Sequence, residues 1–355
     1  MATAADPAKL EAFKARLMPE LGGAASMVVA MLGDKTGLFK AMAGAGPLTS
    51  AELAARTGCA ERMVREWLNA LAAAGWIDCD PAIPSFTLTP EQALVFADDD
   101  SPDNLQGFFL STASMIHDLD RIAEAFHSGR GVPWGDRHSC LFCGTERFFR
   151  PAYIANLVEH WIPAVVGLAE RLRAGAKVAD VGCGYGISTA LMAEAFPNAN
   201  FVGYDFHGPS IDRARETAAE AGLHNTRFEV AAAKGYAERD FDVIAFFDCL
   251  HDMGDPVGAM AHAHAALKPG GIVMLVEPFA NDRLADNLTP VGRLYYSGST
   301  CVCTPASMSQ EVGAALGAQA GPARLRVVAQ RAGFDDLSLA TASAFNMVLH
   351  GRKAG

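Results

Sequence analysis

Val178-Ala179-Asp180-Val181-Gly182-Cys183-Gly184-Tyr185-Gly186 is the stretch on which the fold turns. Val178, Ala179 and Val181 suit a strand buried on both faces. The glycines that follow let the chain turn sharply and bring bare backbone up to a ligand. Ser188 stands where it can cap the next helix. A nucleotide-like ligand is therefore expected at the carboxyl end of this strand. The spacing is G-x-G-x-G, with Ile187 where the dinucleotide fingerprint has its last glycine. Asp180 would repel a pyrophosphate and suits a ligand with an ammonium group and no phosphate. S-adenosylmethionine has that pattern.

Working outward, Phe201-Val202-Gly203-Tyr204-Asp205 reads as a strand ending in an acid. Asp205 follows Gly182 at about the ~20-residue separation expected of an acid that binds a ribose diol. Phe241 to Asp248 is another buried strand, followed by Cys249-Leu250-His251-Asp252. Leu267-Lys268-Pro269-Gly270-Gly271 stops a helix and leads into a strand from Ile272 to Glu277. Strands alternate with helices from 177 to 277, which implies parallel βαβ units.

Asp180 to Gly186, Asp205, Asp248 and Leu267 to Gly271 resemble the motifs of class I S-adenosylmethionine-dependent methyltransferases. More narrowly, the chain is similar to actinobacterial methyltransferases often labelled transcriptional regulators, which share an N-terminal winged-helix module. The resemblance implies an α/β fold: a seven-stranded Rossmann-like methyltransferase sheet, an N-terminal winged helix-turn-helix domain and a helical middle segment. Phe334 to Thr341 and Asn346 to Gly351 would be the last, antiparallel strand pair. It also implies that S-adenosylmethionine is the cofactor, with S-adenosylhomocysteine as product. Asp180, Gly182, Gly184 and Gly186 would hold the methionine end, Asp205 the ribose, and Phe206 would lie against the adenine, with Asp248 in the same site. Many members carry an acid after the third strand that reads the adenine amine; Ala231-Ala232-Ala233-Lys234 leaves that job to backbone here.

Composition fits a cytoplasmic enzyme. The chain has 355 residues, half of them apolar, enough for a sizeable core. A formal net charge of −11 disfavours nonspecific binding to nucleic acid or anionic membranes. The apolar run Ala24 to Leu32 is far shorter than the ~20 residues of a membrane span, and Asp6, Lys9, Glu11 and Lys14 do not read as a signal peptide. Eight cysteines are present. Cys140-x-x-Cys143, with His138 nearby, would be half a zinc site, but Cys301-Val302-Cys303 is spaced too tightly to be the other half. The expectation is no metal and free thiols, with Cys183 filling space in the glycine turn.

The division expected is 1–97 as a winged-helix and dimerisation domain, 98–160 as helical linker and substrate lid, and 161–355 as the cofactor-binding domain. Within the first, Ala24 to Ala43 and Ala60 to Ala74 read as helices, and Thr49-x-x-Glu52 as a capping box. Trp76 to Asp78 and Phe86 to Leu88 read as wing strands, and Pro90 as the first residue of another helix. From 24 to 97 there are seven acids against five bases, and Glu61 and Glu66 flank Arg62 and Arg65 on the helix that would enter a groove. A module that reads a DNA groove carries a basic face. The module is thus expected to dimerise the chain and wall a substrate pocket. The alternative is a DNA-binding regulator that binds the cofactor without turnover.

Asn104 to His127 reads as a long helix, and Gly129 to Gly135 as a loop carrying Trp134 toward the substrate. The other wall is the insert 278–320, with Arg293, Tyr295 and Tyr296. The acceptor is a small molecule, methylated by in-line displacement, which orientation accelerates. His251 is the candidate base, and Glu277, at the end of its strand, would orient the substrate.

Overall fold

The computed structural model describes residues 5–355. The chain divides into two compact units, 1–111 and 112–355.

In the first unit α1 (Pro7–Thr36) starts on Asp6, whose carboxylate accepts from Ala8 N. It stops at Gly37, whose φ of +73° a residue with a side chain adopts only with strain. α2 (Leu38–Met42) follows, so the single helix expected over Ala24 to Ala43 is broken at that glycine. α3 (Ser50–Thr57) opens on the expected Thr49/Glu52 capping box, and α4 (Glu61–Ala73) buries Val64, Trp67, Leu68 and Leu71. β1 (Asp78–Asp80) and β2 (Ser85–Thr87) pair antiparallel as a wing, one or two residues away from the expected bounds. α5 (Pro90–Phe96) closes the module. Its core stacks Phe39 on Phe96 and sets Phe39 edge-on to Trp67.

α6 (Gln106–His117) and α7 (Leu119–Ser128) replace the single helix expected from Asn104 to His127. The break is Asp118, whose buried carboxylate accepts a hydrogen bond from His138 N instead of facing solvent. α8 (Cys140–Asn156), α9 (Ile162–Ala164) and α10 (Leu168–Arg173) lead to the sheet. The sheet strands are β3 (Lys177–Val181), β4 (Asn200–Asp205), β5 (Thr226–Val230), β6 (Phe241–Phe247), β7 (Leu267–Pro278), β8 (Ser338–Ala342) and β9 (Asn346–Arg352). The intervening helices are α11 (Ile187–Ala195), α12 (Gly208–Glu220), α13 (Pro256–Ala266), α14 (Pro290–Gly298), α15 (Thr304–Met308) and α16 (Pro322–Arg331).

The strand order is β5-β4-β3-β6-β7-β9-β8. β3 to β7 run parallel, while β9 is antiparallel to both β7 and β8. The last pair is present, with β8 starting four residues later than expected because Phe334 and Leu337 are drawn into the core beneath α13 and α16. Apolar side chains cover both faces of the central strands, which is why β3, β6 and β7 read as unbroken apolar runs. After β3 the chain winds outward to β4 and β5, then returns to β6 on the other side. The crevice of the sheet therefore opens at the carboxyl ends of β3 and β6.

Candidate functional site

Small neighbours make room for a charged residue at the sheet centre. Asp180 is fully buried and stands in register with Gly203 on one side and Ala245 on the other. Its Oδ2 accepts from the hydroxyls of Ser188 (2.6 Å) and Thr189 (2.7 Å). Ser188 thus reaches back to the strand and does not cap α11, whose first residue follows Gly186 with no side-chain cap. Asp180 Oδ1 has no hydrogen-bond partner among the described residues. Burial pushes this carboxyl up to about 6.

The three glycines do different work. Gly182, Gly184 and Gly186 all have positive φ. A Cβ on Gly182 would lie 2.7 Å from Cys249 Sγ, and one on Gly186 would lie 2.7 Å from the Phe228 ring, so these two are required by protein packing. Only Gly184 has open space where a Cβ would project. Its N–H donates to Asp205 Oδ2 at 3.0 Å, tying the turn to the end of β4. Asp205 Oδ1 accepts from His207 N at 2.8 Å, so each carboxylate oxygen is oriented while keeping a second lone pair.

A cleft of about 830 Å³, its mouth included, lies over these groups. It is lined by Gly182, Gly184, Asp205 and Phe206 from the sheet side. Phe206 is 54% exposed, a large ring with one open face. The opposite wall is α8, which presents Phe142, Glu146, Phe149, Arg150 and Tyr153, with Trp134 edge-on to Phe142. None of these α8 residues was singled out from the sequence. Their spacing of three and four residues, which puts them on one helical face, was the signal available. Phe142 stacks on His207 at 4.7 Å, next to Asp205, while Tyr153 lies three turns away beside Asp248. Among the described residues Arg150 is the one lysine or arginine in this lining; it lies 3.7 Å from Glu146, and Asp205, Asp248 and Asp252 line the same cleft. The loop carrying Trp134 is anchored: Val132 N donates to Pro305 O at 2.9 Å, and Gly131 sits too close to Pro305 to carry a side chain.

Asp248 follows β6 directly with φ +48°, a conformation uncommon for a residue with a side chain. It is held by Tyr153 Oη (2.8 Å) and Asn346 Nδ2 (2.9 Å), which donate to its carboxylate. Burial first, then the nearby Glu277, pushes Asp248 up to about 8; burial pushes Asp252 up to about 7.

His251 and Asp248 share the same segment, yet His251 lies outside the cleft lining and is buried. Its Nδ1 lies 2.6 Å from Glu277 Oε2, and Glu277 Oε1 accepts from Leu250 N. Glu277 is therefore committed to His251 and its turn, and not free to orient a substrate as expected from the sequence. Burial alone would lower the imidazole; Glu277 and a hydrogen bond with Cys303 together hold it well above its ordinary value. Cys303 arrives on a π-helical turn, Ser299–Cys303, whose Cys301 carbonyl accepts from the buried Arg137 at 2.8 Å. Tyr295 is buried with its hydroxyl donating to Phe345 O, and Tyr296 is half-buried; both lie outside the cleft lining, contrary to the expectation that they face the site.

The exposed charges of the winged module pair with one another. On α4, Arg62 pairs with Glu66 (2.5 Å) and Arg65 with Glu61 (2.6 Å), and Lys40 pairs with Asp99 (2.5 Å). These arginines are neutralised within their own helix, which does not make the basic face of a groove reader. No helix among the described residues is long and apolar enough to cross a membrane.

Residues 172–321 match the family model of a methyltransferase domain, and residues 23–97 that of an Rv2258c-like winged HTH domain. Among curated relatives, the ubiquinone biosynthesis O-methyltransferase of Pseudomonas aeruginosa is 32% identical over 145 residues, 40% of this chain and 56% of that protein. The corresponding protein of Leptothrix cholodnii is 31% identical over 134 residues, 37% of this chain and 54% of its own length. The chain thus spans about half the length of these relatives. Over 99% of both chains it is similar in fold to an O-methyltransferase family protein from Burkholderia thailandensis, with a TM-score of 0.70 and 18% identity. It is similar over the full length of both chains to human N-acetylserotonin methyltransferase, solved in complex with SAM, with a TM-score of 0.72 and 16% identity.

Proposed function

We propose, because this chain joins an Rv2258c-like winged helix-turn-helix domain to a methyltransferase domain, that it transfers a methyl group from S-adenosylmethionine to a hydroxyl oxygen of a small-molecule acceptor. One observation carries the reading: a cleft at the sheet's crevice joins Asp205, an open-faced Phe206 and the bare turn at Gly184, with a buried His251–Glu277 pair on the next segment.

The residues fit the donor. Asp180 Oδ1 is a buried acceptor without a partner, and Gly184 leaves open space where a side chain would stand. In this reading Asp205 holds the ribose hydroxyls, and Phe206 and Trp134 cover the adenine. Arg150 receives the carboxylate of the methionine end. Asp248 and Asp252 face the donor's positive charge. S-adenosylmethionine, when bound, supplies a methyl group activated by its sulfonium. His251, once deprotonated and released from Cys303, takes the acceptor's hydroxyl proton at Nε2, while Glu277 holds the Nδ1 proton and fixes the ring. Trp134, Phe142 and Phe149 exclude water from the cleft, which strengthens each of these contacts.

The O-methyltransferase names of the curated relatives support oxygen as the acceptor atom. A homodimer belongs to the same reading, supported by an exposed apolar row on α1: Leu10, Phe13, Leu17, Leu21, Val28 and Leu32. A reducing, cytoplasmic setting accords with eight free cysteines. The test is transfer of labelled methyl from S-adenosylmethionine to a panel of phenols, quinols, carboxylates, amines and thiols. Label on a hydroxyl acceptor, lost in His251→Ala, is expected. Label carried only to amines or thiols, at undiminished rate in that variant, would overturn the oxygen and base assignments.

A further inference from the structure

Three donor side chains outside the cleft converge on one point. His117 ends α6, His138 precedes α8, and Cys140 is the first residue of α8. One nitrogen of each imidazole and the Cys140 thiol all lie within 4.8 Å of one another. The sequence displays only His138-x-Cys140; His117 is brought in by the fold.

The convergence is built from below. Asp118, next to His117, is buried and accepts a hydrogen bond from the backbone N–H of His138 at 3.1 Å. Arg137, with a side chain 1% exposed, lies 3.8 Å from that carboxylate and donates to the carbonyl of Cys301. A buried ion pair thus pins the backbone of 117–118 to that of 137–138. His138 Nδ1 accepts from Cys140 N at 3.2 Å, so its lone pair already points at the start of α8. The two imidazoles lie face to face, centroids 4.0 Å apart and 10° from parallel.

We propose that His117, His138 and Cys140 form a divalent metal site of the zinc class. Two imidazoles and a thiolate are the donor set that suits Zn²⁺, and three protein ligands leave a fourth position for water or another ligand. With Zn–N of about 2.0–2.1 Å and Zn–S of about 2.3 Å, tetrahedral donors stand roughly 3.3–3.7 Å apart. The donors here need close by about 1 Å, which rotation of the imidazoles about their soft outer torsion supplies. Cys143, exposed and one turn further along α8, is not part of the group. An ion here would tie the end of α6 to the first turn of α8, the helix that walls the cleft from Phe142 onward.

The experiment is titration of the full-length, untagged, metal-free protein with Co²⁺ at pH 7.5, followed by displacement with Zn²⁺. One Co²⁺ per chain with a thiolate-to-cobalt charge-transfer band is expected, displaced by Zn²⁺. The band should vanish in Cys140→Ser and persist in Cys143→Ser. His117→Ala, a change at an exposed side chain, should weaken binding at least tenfold while the far-UV circular dichroism stays that of the parent. No band in the parent protein, a band unchanged in Cys140→Ser or His117→Ala, or one lost instead in Cys143→Ser would overturn the site.

Discussion

At the scale of the residue, the proposed chemistry rests on the buried 2.6 Å contact between His251 and Glu277. Replacing His251 with Ala is expected to lower kcat by roughly 10²–10⁴-fold while leaving S-adenosylhomocysteine affinity within a factor of about three, since the imidazole lies outside the cleft lining. Calorimetry beside steady-state kinetics checks the split. Because Glu277 keeps the imidazole protonated past its usual range, kcat should climb as pH rises above neutrality and then level off. The acids of the cleft add a second dependence. Asp180, Asp252 and Asp248 are pushed up to about 6, 7 and 8, each chiefly by burial. Their folded pKa values lie above the unfolded ones, so the folded state holds more protons and its stability falls as pH rises through that window. A cationic ligand prefers the carboxylates, so its affinity should rise over the same interval, by up to roughly tenfold per pH unit for each proton released. Thermal melts from pH 6 to 9, with and without S-adenosylmethionine, test both signs. A melting temperature that rises with pH in the free protein would refute the assignment.

At the scale of the element, the β3–α11 turn shows what a sequence does and does not disclose. The strand, the turn and Asp205 were legible because burial on both faces and glycine spacing are local facts. The separate duties of the glycines were not, since Gly186 is required by Phe228, a residue of another strand. Ser188 looked like a cap for the same reason: its actual partner, Asp180, is a neighbour only once the turn closes. Glu277 read as a strand-end acid and proves to grip His251 across two strands' ends. The wall of α8 and the Tyr153 and Asn346 grip on Asp248 depend on contacts more than 90 residues apart. Gly186→Ala follows from this reading. Forcing a side chain into a left-handed backbone costs about 1–2 kcal/mol, and the Phe228 contact adds to it. Chemical denaturation should register at least that loss.

At the scale of the whole molecule, a segment that matches a methyltransferase-domain model, 172–321, follows a winged module whose α4 arginines are held by their own glutamates. Hydrophobic side chains on α1 recur every three to four residues, at Leu10, Phe13, Leu17 and Leu21, and stand exposed. Such a row is expected to be covered by a second copy, so Leu17→Glu with Leu21→Glu should convert a dimer to a monomer in sedimentation equilibrium. A parent chain that sediments as a monomer would remove the dimer from the account. The most direct test of the central claim is calorimetric titration of the full chain with S-adenosylhomocysteine, repeated on Asp205→Ala. The account predicts saturable binding of one ligand per chain, abolished or weakened at least a hundredfold in the variant. No binding to the parent chain, or equal affinity in Asp205→Ala, would contradict it.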